Sequence, residues 1–191
     1  MFSGKAELRK RFALRREALS CGLRAEYDAD IRMHLSGWEP FRKAAAVAAF
    51  AAFGAEPELL PLAGEKAWFL PRYSRASGRY ELVEIRDPER DLALGKYGIR
   101  EPRPELPALP EERWKELLFL IPALACDRFG VRLGRGGGHY DRMLEHAGGK
   151  VAAVVYGCQL SEEPLPCEAH DRRVTWIVTE SGVTDCVESE N

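Results

Sequence analysis

Five short stretches of almost uninterrupted apolar residues constrain the fold of this chain most strongly. They are AAAVAAFAAF, AWFLP, LLFLIP, VAAVVY and VTWIVT, beginning at residues 44, 67, 117, 151 and 174. Strands covered on both faces have this composition, whereas a strand with one face in water alternates apolar and polar residues. The runs therefore predict an α/β fold with a parallel or mixed sheet between helices. The segment YELVEI, residues 80–85, alternates and is predicted to be an edge or half-exposed strand.

Two helices are predicted before the first of these strands. Residues 3–19 place three bulky apolar side chains on one face of a helix. Residues 23–36 form the second helix, with Ser20 as its cap and Gly37 as its stop. The four prolines of residues 101–110 exclude a regular helix or a central strand there, and they predict an extended crossover.

Composition limits the functional classes. A net charge of −2 argues against a dedicated nucleic-acid binder, because such proteins carry an excess of basic residues. No apolar run approaches the length of a membrane span, and the opening MFSGKAELRKRF lacks the apolar stretch of a secretory signal. Five cysteines without a Cys-x-x-Cys pair predict reduced thiols. We therefore expect a cytoplasmic protein whose residues 1–191 form one domain, with neither a membrane nor a nucleic acid as partner.

The segment GVRLGRGGGHYDRML, residues 130–144, holds five of the chain's 17 glycines and follows an apolar strand. A backbone without Cβ atoms can approach an anion closely and turn successive N–H groups toward it. Arg132 and Arg135 can donate to phosphate oxygens, and Asp141 can hold a magnesium ion that bridges them. The P-loop and dinucleotide-binding patterns do not fit, since His139 follows the last glycine. These residues alone leave open a flexible turn, and a carboxylate that stabilises a helix start.

The order of residues around this segment resembles a known signature. The stretch IPALACDRFGVRLGRGGGHYDRML, residues 121–144, is similar to the central motif of the 5-formyltetrahydrofolate cyclo-ligase family, also called methenyltetrahydrofolate synthetases. Five further segments resemble the family in order and spacing, namely KAELRKR, AEPELL, FLPRY, YGIREP and HDRRVTWIVTE. The resemblance extends over nearly the whole chain.

This resemblance implies a fold and a reaction. The implied fold is a three-layer α/β sandwich with a mostly parallel central sheet, an architecture similar to that of sugar-phosphate isomerases and coenzyme A transferases. The implied enzyme is a ligase that uses ATP and Mg²⁺ to convert 5-formyltetrahydrofolate to 5,10-methenyltetrahydrofolate, with release of ADP and phosphate. In that reaction ATP phosphorylates the formyl oxygen, and nitrogen-10 closes the ring as phosphate leaves. The implied partners are small molecules, and we expect a monomer.

The resemblance also implies site residues. The family's ATP-binding positions correspond to Lys5, Arg9, Arg132, Leu133, Gly134, Arg135, Gly136, Gly137, Gly138, His139 and Tyr140. Its folate-binding positions correspond to Ala51, Glu56, Arg135, Gly136, Gly137, Gly138 and His139. Its magnesium ligands correspond to Asp141 and Asp171, and the catalytic roles fall to Arg132 and Arg135. Tyr97 lies where an aromatic residue often flanks the nucleotide.

The chain departs from the family pattern at three positions. His139 stands where Tyr is commoner; it keeps an aromatic ring but introduces a pH dependence, because its ordinary pKa is near neutrality. Leu59 stands where the family usually has Thr. Thr175 stands where many members have Asp, which raises the question of an altered magnesium affinity.

The residues by themselves also have plainer interpretations. Lys5 and Arg9 fit a solvated basic helix face, and Glu56 fits a turn residue before a proline. Asp171 fits an ion pair with one of the arginines that follow it, and Cys126 fits a small buried thiol better than a nucleophile. Two other functions compete with the ligase. One is a nucleotide- or folate-binding protein without activity, and the other is an enzyme like the sugar-phosphate isomerases or coenzyme A transferases.

Overall fold

The computed structural model describes residues 4–95, 98–168 and 170–187. The helices are α1 (Lys5–Glu17), α2 (Cys21–Gly37), α3 (Glu39–Lys43), α4 (Pro88–Asp91) and α5 (His139–Leu144). Short 3₁₀ turns lie at Leu60–Leu62, Glu111–Glu116 and Gly157–Gln159. None of the helices in the described ranges is long and apolar enough to cross a membrane.

The two predicted N-terminal helices are confirmed as α1 and α2, although residue 3 lies outside the described residues. At the start of α2 the backbone N–H of Leu23 donates to the Oγ atom of Ser20, at 3.2 Å, so the predicted cap is also confirmed. Gly37 is the last residue of α2, and the chain becomes extended at Trp38.

The strands follow in chain order. The first six are β1 (Ala46–Ala48), β2 (Ala67–Ser74), β3 (Arg79–Ile85), β4 (Leu92–Leu94), β5 (Arg100–Pro102) and β6 (Ala108–Leu109). The others are β7 (Leu118–Pro122), β8 (Ala125–Asp127), β9 (Arg132–Leu133), β10 (Val151–Val154), β11 (Leu160–Ser161), β12 (Trp176–Thr179) and β13 (Gly182–Asp185).

The central sheet has eight strands within the described ranges, in the order β13-β12-β10-β7-β1-β2-β3-β6. The five strands from β12 to β2 in this order pair in parallel, and β13, β3 and β6 pair antiparallel at the two sides. The predicted mostly parallel sheet is thus confirmed. Smaller sheets are formed by β11, β8 and β9, and by β4 and β5.

Alternate side chains of β7 reach opposite faces of the sheet, and both faces are covered. Leu118 and Leu120 belong to a core cluster that also contains residues of α2 and α3. Phe119 and Ile121 belong to a second cluster, with residues of α5 and of the 3₁₀ turn at Glu111–Glu116. The uninterrupted apolar run in the sequence therefore has the predicted cause, a strand buried on both sides.

The predictions for the exposed side of the sheet were right in part. The alternating segment 80–85 lies in β3, which is half-exposed but is not the edge strand. The edge is β6, which pairs with β3 and lies inside the predicted crossover at residues 101–110. The crossover is extended, as predicted, and two short strands form within or beside it because each finds an edge to pair with.

The glycine-rich loop is not entered directly from the apolar strand β7, and that part of the prediction was wrong. A hairpin of β8 and β9 intervenes. Asp127 shapes it: Oδ1 accepts from the backbone N–H groups of Phe129 and Val131, and Oδ2 accepts from that of Leu165. Gly130 turns the hairpin at a φ of 76°, where a Cβ atom would lie 2.3 Å from a backbone oxygen. A rigid hairpin therefore carries the loop.

Candidate active site

A cavity of about 730 Å³ lies at the carboxyl ends of the central parallel strands, where Ala51 follows β1 and Pro122 ends β7. Ligands of open α/β sheets commonly bind at this edge. Among the described residues, the wall includes all those to which the family resemblance gives an ATP-binding, folate-binding, metal-binding or catalytic role, namely Lys5, Arg9, Ala51, Glu56, Arg132, Leu133, Gly134, Arg135, Gly136, Gly137, Gly138, His139, Tyr140, Asp141 and Asp171. Folding thus brings four distant segments of the chain to one place.

Helix α1 contacts the glycine-rich loop through the side chains of Arg9 and Leu8. The Nε atom of Arg9 donates to the carbonyl oxygen of Gly134, at 2.9 Å. Leu133 is buried in a cluster with Leu8 and Phe12 of α1, and it also lines the cavity. Gly136 has a φ of 98°, and a Cβ atom there would lie 3.4 Å from the guanidinium carbon of Arg9. The loop accommodates the arginine because glycine occupies this position.

Arg132 and Asp141 form a close ion pair at the wall. The Nη2 atom of Arg132 donates to Oδ1 of Asp141 at 2.5 Å, and the backbone N–H of Arg172 donates to the same oxygen at 3.2 Å. The Arg132 side chain is only 4 % exposed, and its Nε atom has no hydrogen-bond partner among the described residues. The pair therefore fixes one carboxylate and one guanidinium beside the cavity.

Lys5 joins the first helix to the segment that contains Asp171. Its Nζ atom lies 2.8 Å from Oδ2 of Asp171 and 2.8 Å from Oε1 of Glu168. Burial opposes the charge of Lys5, but the hydrogen bonds and attraction of the two carboxylates raise its pKa. Asp171 is in an ion pair, as its plainer interpretation supposed, and its partners include Lys5 and, at 3.7 Å, Nε2 of His170. Lys5 and Arg9 both line the cavity, so neither lies on a purely solvated face.

Glu56 lies almost buried at the other end of the cavity, with its side chain 8 % exposed. Its Oε1 atom accepts from Nη2 of Arg135 at 2.9 Å, and its Oε2 atom accepts from the backbone N–H of Phe53 at 3.1 Å. The guanidinium of Arg135 also lies 4.6 Å from the centre of the Phe53 ring. Glu56 therefore stabilises its turn and also contacts the glycine-rich loop.

His139 begins α5 and lies against an aromatic side chain from β3. Its ring is 4.9 Å from that of Tyr80, in an edge-on arrangement, and its Nδ1 atom is 2.8 Å from Nη2 of Arg142. Burial and the positive charge of Arg142 lower the pKa of His139 below its ordinary value. Burial likewise raises the pKa of the neighbouring Tyr140, so its phenol stays neutral. The neutral imidazole contacts the aromatic wall through its ring.

Several residues of the cavity wall were not predicted. Glu168 lies three positions before Asp171, just ahead of a segment that resembles the family. Its place near Asp171 in the sequence was therefore a signal that it could also reach the cavity. Arg100 and Glu101 lie in the YGIREP segment and had the same signal. Tyr80 had none, because it reaches the cavity only through the antiparallel pairing of β3 with β2. Tyr97 lies outside the described residues.

Of the three residues that depart from the family pattern, His139 lines the cavity, whereas Leu59 and Thr175 do not. Leu59 is fully buried in the core that covers one face of the sheet. The Oγ1 atom of Thr175 donates to the backbone oxygen of Gly149, at 2.8 Å, and Thr175 is not part of the cavity wall. Cys126 is fully buried, and burial raises the pKa of its thiol far above the ordinary value, which agrees with a structural thiol rather than a nucleophile.

The donor set suits a metal ion that completes its coordination with ligand oxygens. Among residues 4–95, 98–168 and 170–187 no group of three or more His, Cys, Asp or Glu side chains is arranged to hold a metal. Asp141 and Asp171 nevertheless line the same cavity, and each also contacts a cationic side chain. Magnesium binds with one or two carboxylates and takes its other oxygens from phosphate and water. The two carboxylates therefore fit magnesium that arrives with a nucleotide.

Comparison with known sequences identifies relatives over most of the chain. The model of the 5-formyltetrahydrofolate cyclo-ligase family matches residues 2–180. The 5-formyltetrahydrofolate cyclo-ligase of Escherichia coli K12 is 31 % identical over 179 residues, which cover 88 % of this chain and 96 % of that protein. The enzyme of the same name from Mycolicibacterium smegmatis is 47 % identical over 91 residues, and this match spans somewhat less than half of each chain, 46 % and 45 %.

Solved structures agree with these sequence matches. The 5,10-methenyltetrahydrofolate synthetase of Aquifex aeolicus superposes with a TM-score of 0.83 at 31 % identity, covering 98 % of this chain and 95 % of that one. The synthetase of Mycoplasma pneumoniae superposes with a TM-score of 0.71 over 93 % of this chain and 99 % of its own, and at 18 % identity it supports the fold alone. The chain belongs to the 5-formyltetrahydrofolate cyclo-ligase family and is a ligase.

Proposed function

We propose that this ligase uses ATP and Mg²⁺ to convert 5-formyltetrahydrofolate to 5,10-methenyltetrahydrofolate, with release of ADP and phosphate. The observation that carries the proposal is that the segments assigned to the nucleotide and to the folate line one cavity and touch through Arg135 and Glu56. The names of the relatives support the substrate, since the E. coli and A. aeolicus proteins are a cyclo-ligase and a synthetase for these folates.

The cationic end of the cavity suits the triphosphate. Lys5, Arg9 and Arg132 line it together with the glycines between β9 and α5. Guanidinium groups donate in pairs to phosphate oxygens, and backbone N–H groups of glycine can approach them closely. Asp141 and Asp171 are the residues that would hold magnesium when the nucleotide is bound. The ion would supply neutralisation of the negative charge that spreads over the phosphates during transfer.

The Glu56 end of the cavity suits the pterin. A carboxylate accepts hydrogen bonds from the amide N–H and the amino group on one edge of that ring. Phe53 and Ala51 provide apolar walls beside it, and His139 and Tyr80 provide aromatic ones. The formyl group would then lie between Glu56 and the glycine-rich loop, where Arg135 can reach it.

The oxygen of an amide-like formyl group is a poor leaving group, so it must first be phosphorylated. The formyl oxygen attacks the γ-phosphorus of ATP, and the bond from that phosphorus to the bridging oxygen breaks as ADP leaves. Nitrogen-10 then attacks the formyl carbon and loses its proton, and the carbon–oxygen bond breaks as phosphate departs. Arg132 and Arg135 stabilise the transferring phosphate, while the cavity holds the two reactants in line. No nucleophilic side chain takes part.

Two alternatives stay distinguishable from this reaction. A folate- or nucleotide-binding protein without activity is motivated by His139, Leu59 and Thr175, but only the first of these lines the cavity. An isomerase or transferase on a similar fold would not need ATP, and the relatives carry the name of a ligase instead. The expected cytoplasmic location and monomeric state stay predictions.

A direct assay tests the proposal. Purified protein with ATP, Mg²⁺ and 5-formyltetrahydrofolate is expected to develop the near-ultraviolet absorbance of the methenyl product, with one ADP formed per product. Omission of ATP should abolish the signal, and a sugar phosphate in place of the folate should release no ADP. Folded protein that binds both substrates without forming product, over a range of pH, would support the inactive binding protein instead.

A further inference from the structure

A second arginine, Arg16 of α1, lies behind Glu56. Arg16 is 4 % exposed, and its Nε and Nη1 atoms have no hydrogen-bond partner among the described residues. Its Nη1 atom is 3.7 Å from Oε1 of Glu56, within an ion pair but beyond a normal hydrogen bond. Burial lowers the pKa of Arg16, and the attraction of Glu56 opposes this effect. A buried cation with unused donors is costly, so its position beside one particular carboxylate needs an explanation.

Two arginines share the Oε1 atom of Glu56, and they differ in freedom. Arg135 is on the glycine-rich loop, and half of its side chain is exposed. Arg16 is enclosed by the fold, with its side chain 5 % exposed. In the proposed reaction Arg135 stabilises the transferring phosphate, so it must turn from Glu56 toward the nucleotide. Without another cation, Glu56 would then be an almost buried carboxylate with only a backbone N–H to stabilise it.

We infer that Arg16 is a positioning residue of the folate subsite, holding the Glu56 carboxylate in place when Arg135 turns to the phosphates. This inference rests on the proposed function. Arg16 touches neither substrate and acts through Glu56, whose Oε1 atom it can take over by closing a short gap. The unused Nη1 donor of Arg16 becomes satisfied at the moment when the donor from Arg135 is withdrawn. The pterin edge thus meets a carboxylate whose orientation does not depend on the loop.

The variant Arg16→Met tests this role, because it keeps most of the buried volume and removes the charge. Replacing a buried ion with an apolar side chain often leaves stability unchanged or raises it. We expect the Kd for 5-formyltetrahydrofolate, measured by calorimetry on protein saturated with a non-hydrolysable ATP analogue, to rise about tenfold or more. The Kd for a non-hydrolysable ATP analogue should stay within about twofold. Arg15→Met is the matched control, since Arg15 is the exposed neighbour on the same helix.

A double-mutant cycle with Glu56→Gln separates positioning from packing. If Arg16 acts through Glu56, Arg16→Met should weaken folate binding far less in the Glu56→Gln background than in the wild type. Equal losses in both backgrounds would overturn the inference. So would a parallel weakening of both ligands together with a lower Tm, which is the result expected of a residue that only supports the fold.

Two further results complete the test. Arg16→Gln removes the charge while keeping polar atoms, so it repeats the measurement if Arg16→Met does not fold; wild-type folate binding by folded Arg16→Gln would overturn the role. The failure of the proposed function looks different, because wild-type protein would then neither bind nor convert 5-formyltetrahydrofolate, and the inference would fall with it. An active wild type with an unaffected Arg16→Met removes only the role of Arg16.

Discussion

Arg135 donates a hydrogen bond of 2.9 Å to Glu56, a residue 79 positions earlier in the chain. The contact joins the glycine-rich loop to the turn that follows β1, and the ring of Phe53 lies beside the guanidinium. The half-exposed arginine thus lines the cavity while it is held on Glu56. From this position a change of side-chain torsions is enough to direct it to either ligand.

Removal of this guanidinium should impair turnover much more than stability. We expect Arg135→Ala to lower kcat about 100-fold, since an arginine that stabilises transferring charge contributes on that scale. Because half of the Arg135 side chain is exposed and Arg16 stays beside Glu56, the Tm should change by less than about 3 °C. Formation of the methenyl product and thermal unfolding are measured on the same preparation.

Arg86→Ala is the control for Arg135→Ala, because Arg86 is a more exposed arginine that pairs with a nearby glutamate and lies outside the cavity. It should leave both turnover and Tm unchanged. If the turnover of Arg135→Ala falls only as much as its fraction of folded protein, the catalytic assignment is wrong.

Gly136 tests whether the loop depends on missing side chains. Its φ of 98° disfavours any other residue, and a Cβ atom would lie in van der Waals contact with the guanidinium of Arg9, where an anion could otherwise approach. Gly136→Ala should therefore raise the KM for ATP about tenfold or more. Gly64→Ala has the matching backbone cost, because Gly64 has a φ of 106°, but a Cβ atom there meets nothing within 4 Å. Equal KM values in the two variants would remove the role of the Gly136 position.

The sequence predicted which segments meet at the cavity better than it predicted the scaffold that carries them. Lys5 and Arg9 were assigned to the same site as Asp171, which is far from them in the chain, because each lies in a segment that resembles the family. Their mutual contacts, such as Lys5 with Asp171, could not be predicted, since a resemblance assigns roles and contains no distances.

The scaffold was harder to predict, for physical reasons. The continuous apolar run through Ile121 indicates a strand buried on both faces, but nothing in its periodicity marks where the hairpin of β8 and β9 begins. Its turn depends on Asp127 and Gly130, which also fit an ordinary loop. Strands of two or three residues, such as β6, form only because a neighbouring edge is available, so they leave no local pattern.

Asp127 should be among the residues on which stability depends most. Its carboxylate is 1 % exposed and accepts three backbone N–H groups from the hairpin and a neighbouring loop. Asp127→Ala leaves these donors without an acceptor, which should lower the free energy of unfolding by about 3–5 kcal/mol. Urea denaturation measures the change. Asp185→Ala, at an exposed aspartate, should cost less than about 1 kcal/mol, and equal costs would refute this account of the hairpin.

Asp171 provides the test of the magnesium assignment. Asp171→Asn keeps the size of the side chain but removes the charge that pairs with Lys5 and is proposed to hold the ion. The Mg²⁺ concentration for half-maximal rate should rise about tenfold or more, while saturating Mg²⁺ restores part of the rate. Asp185→Asn should titrate like the wild type. An unchanged Mg²⁺ dependence in Asp171→Asn, with a reduced rate at all concentrations, would indicate an electrostatic role for Asp171 without metal contact.

His139 makes a pH prediction with a definite sign. Because burial and Arg142 lower its pKa below the ordinary 6.5, the folded protein resists protonation more than the unfolded chain does. The stability that depends on neutral His139 is therefore complete above pH 6.5 and is lost as the pH falls below it. Thermal unfolding without ligands should give a steeper loss of Tm for wild type than for His139→Tyr between about pH 7 and about pH 5.5.

The neutral state of His139 also predicts how the reaction rate depends on pH. Above neutral pH His139 stays uncharged, so the rates of wild type and His139→Tyr should change in parallel between about pH 7 and about pH 8. His146→Gln is the control, since His146 contacts Glu111 outside the cavity wall. The dependence of its rate on pH should match that of the wild type. If His139→Tyr removes a rate change centred above pH 7, then His139 titrates in the working range and its ring acts as more than an aromatic wall.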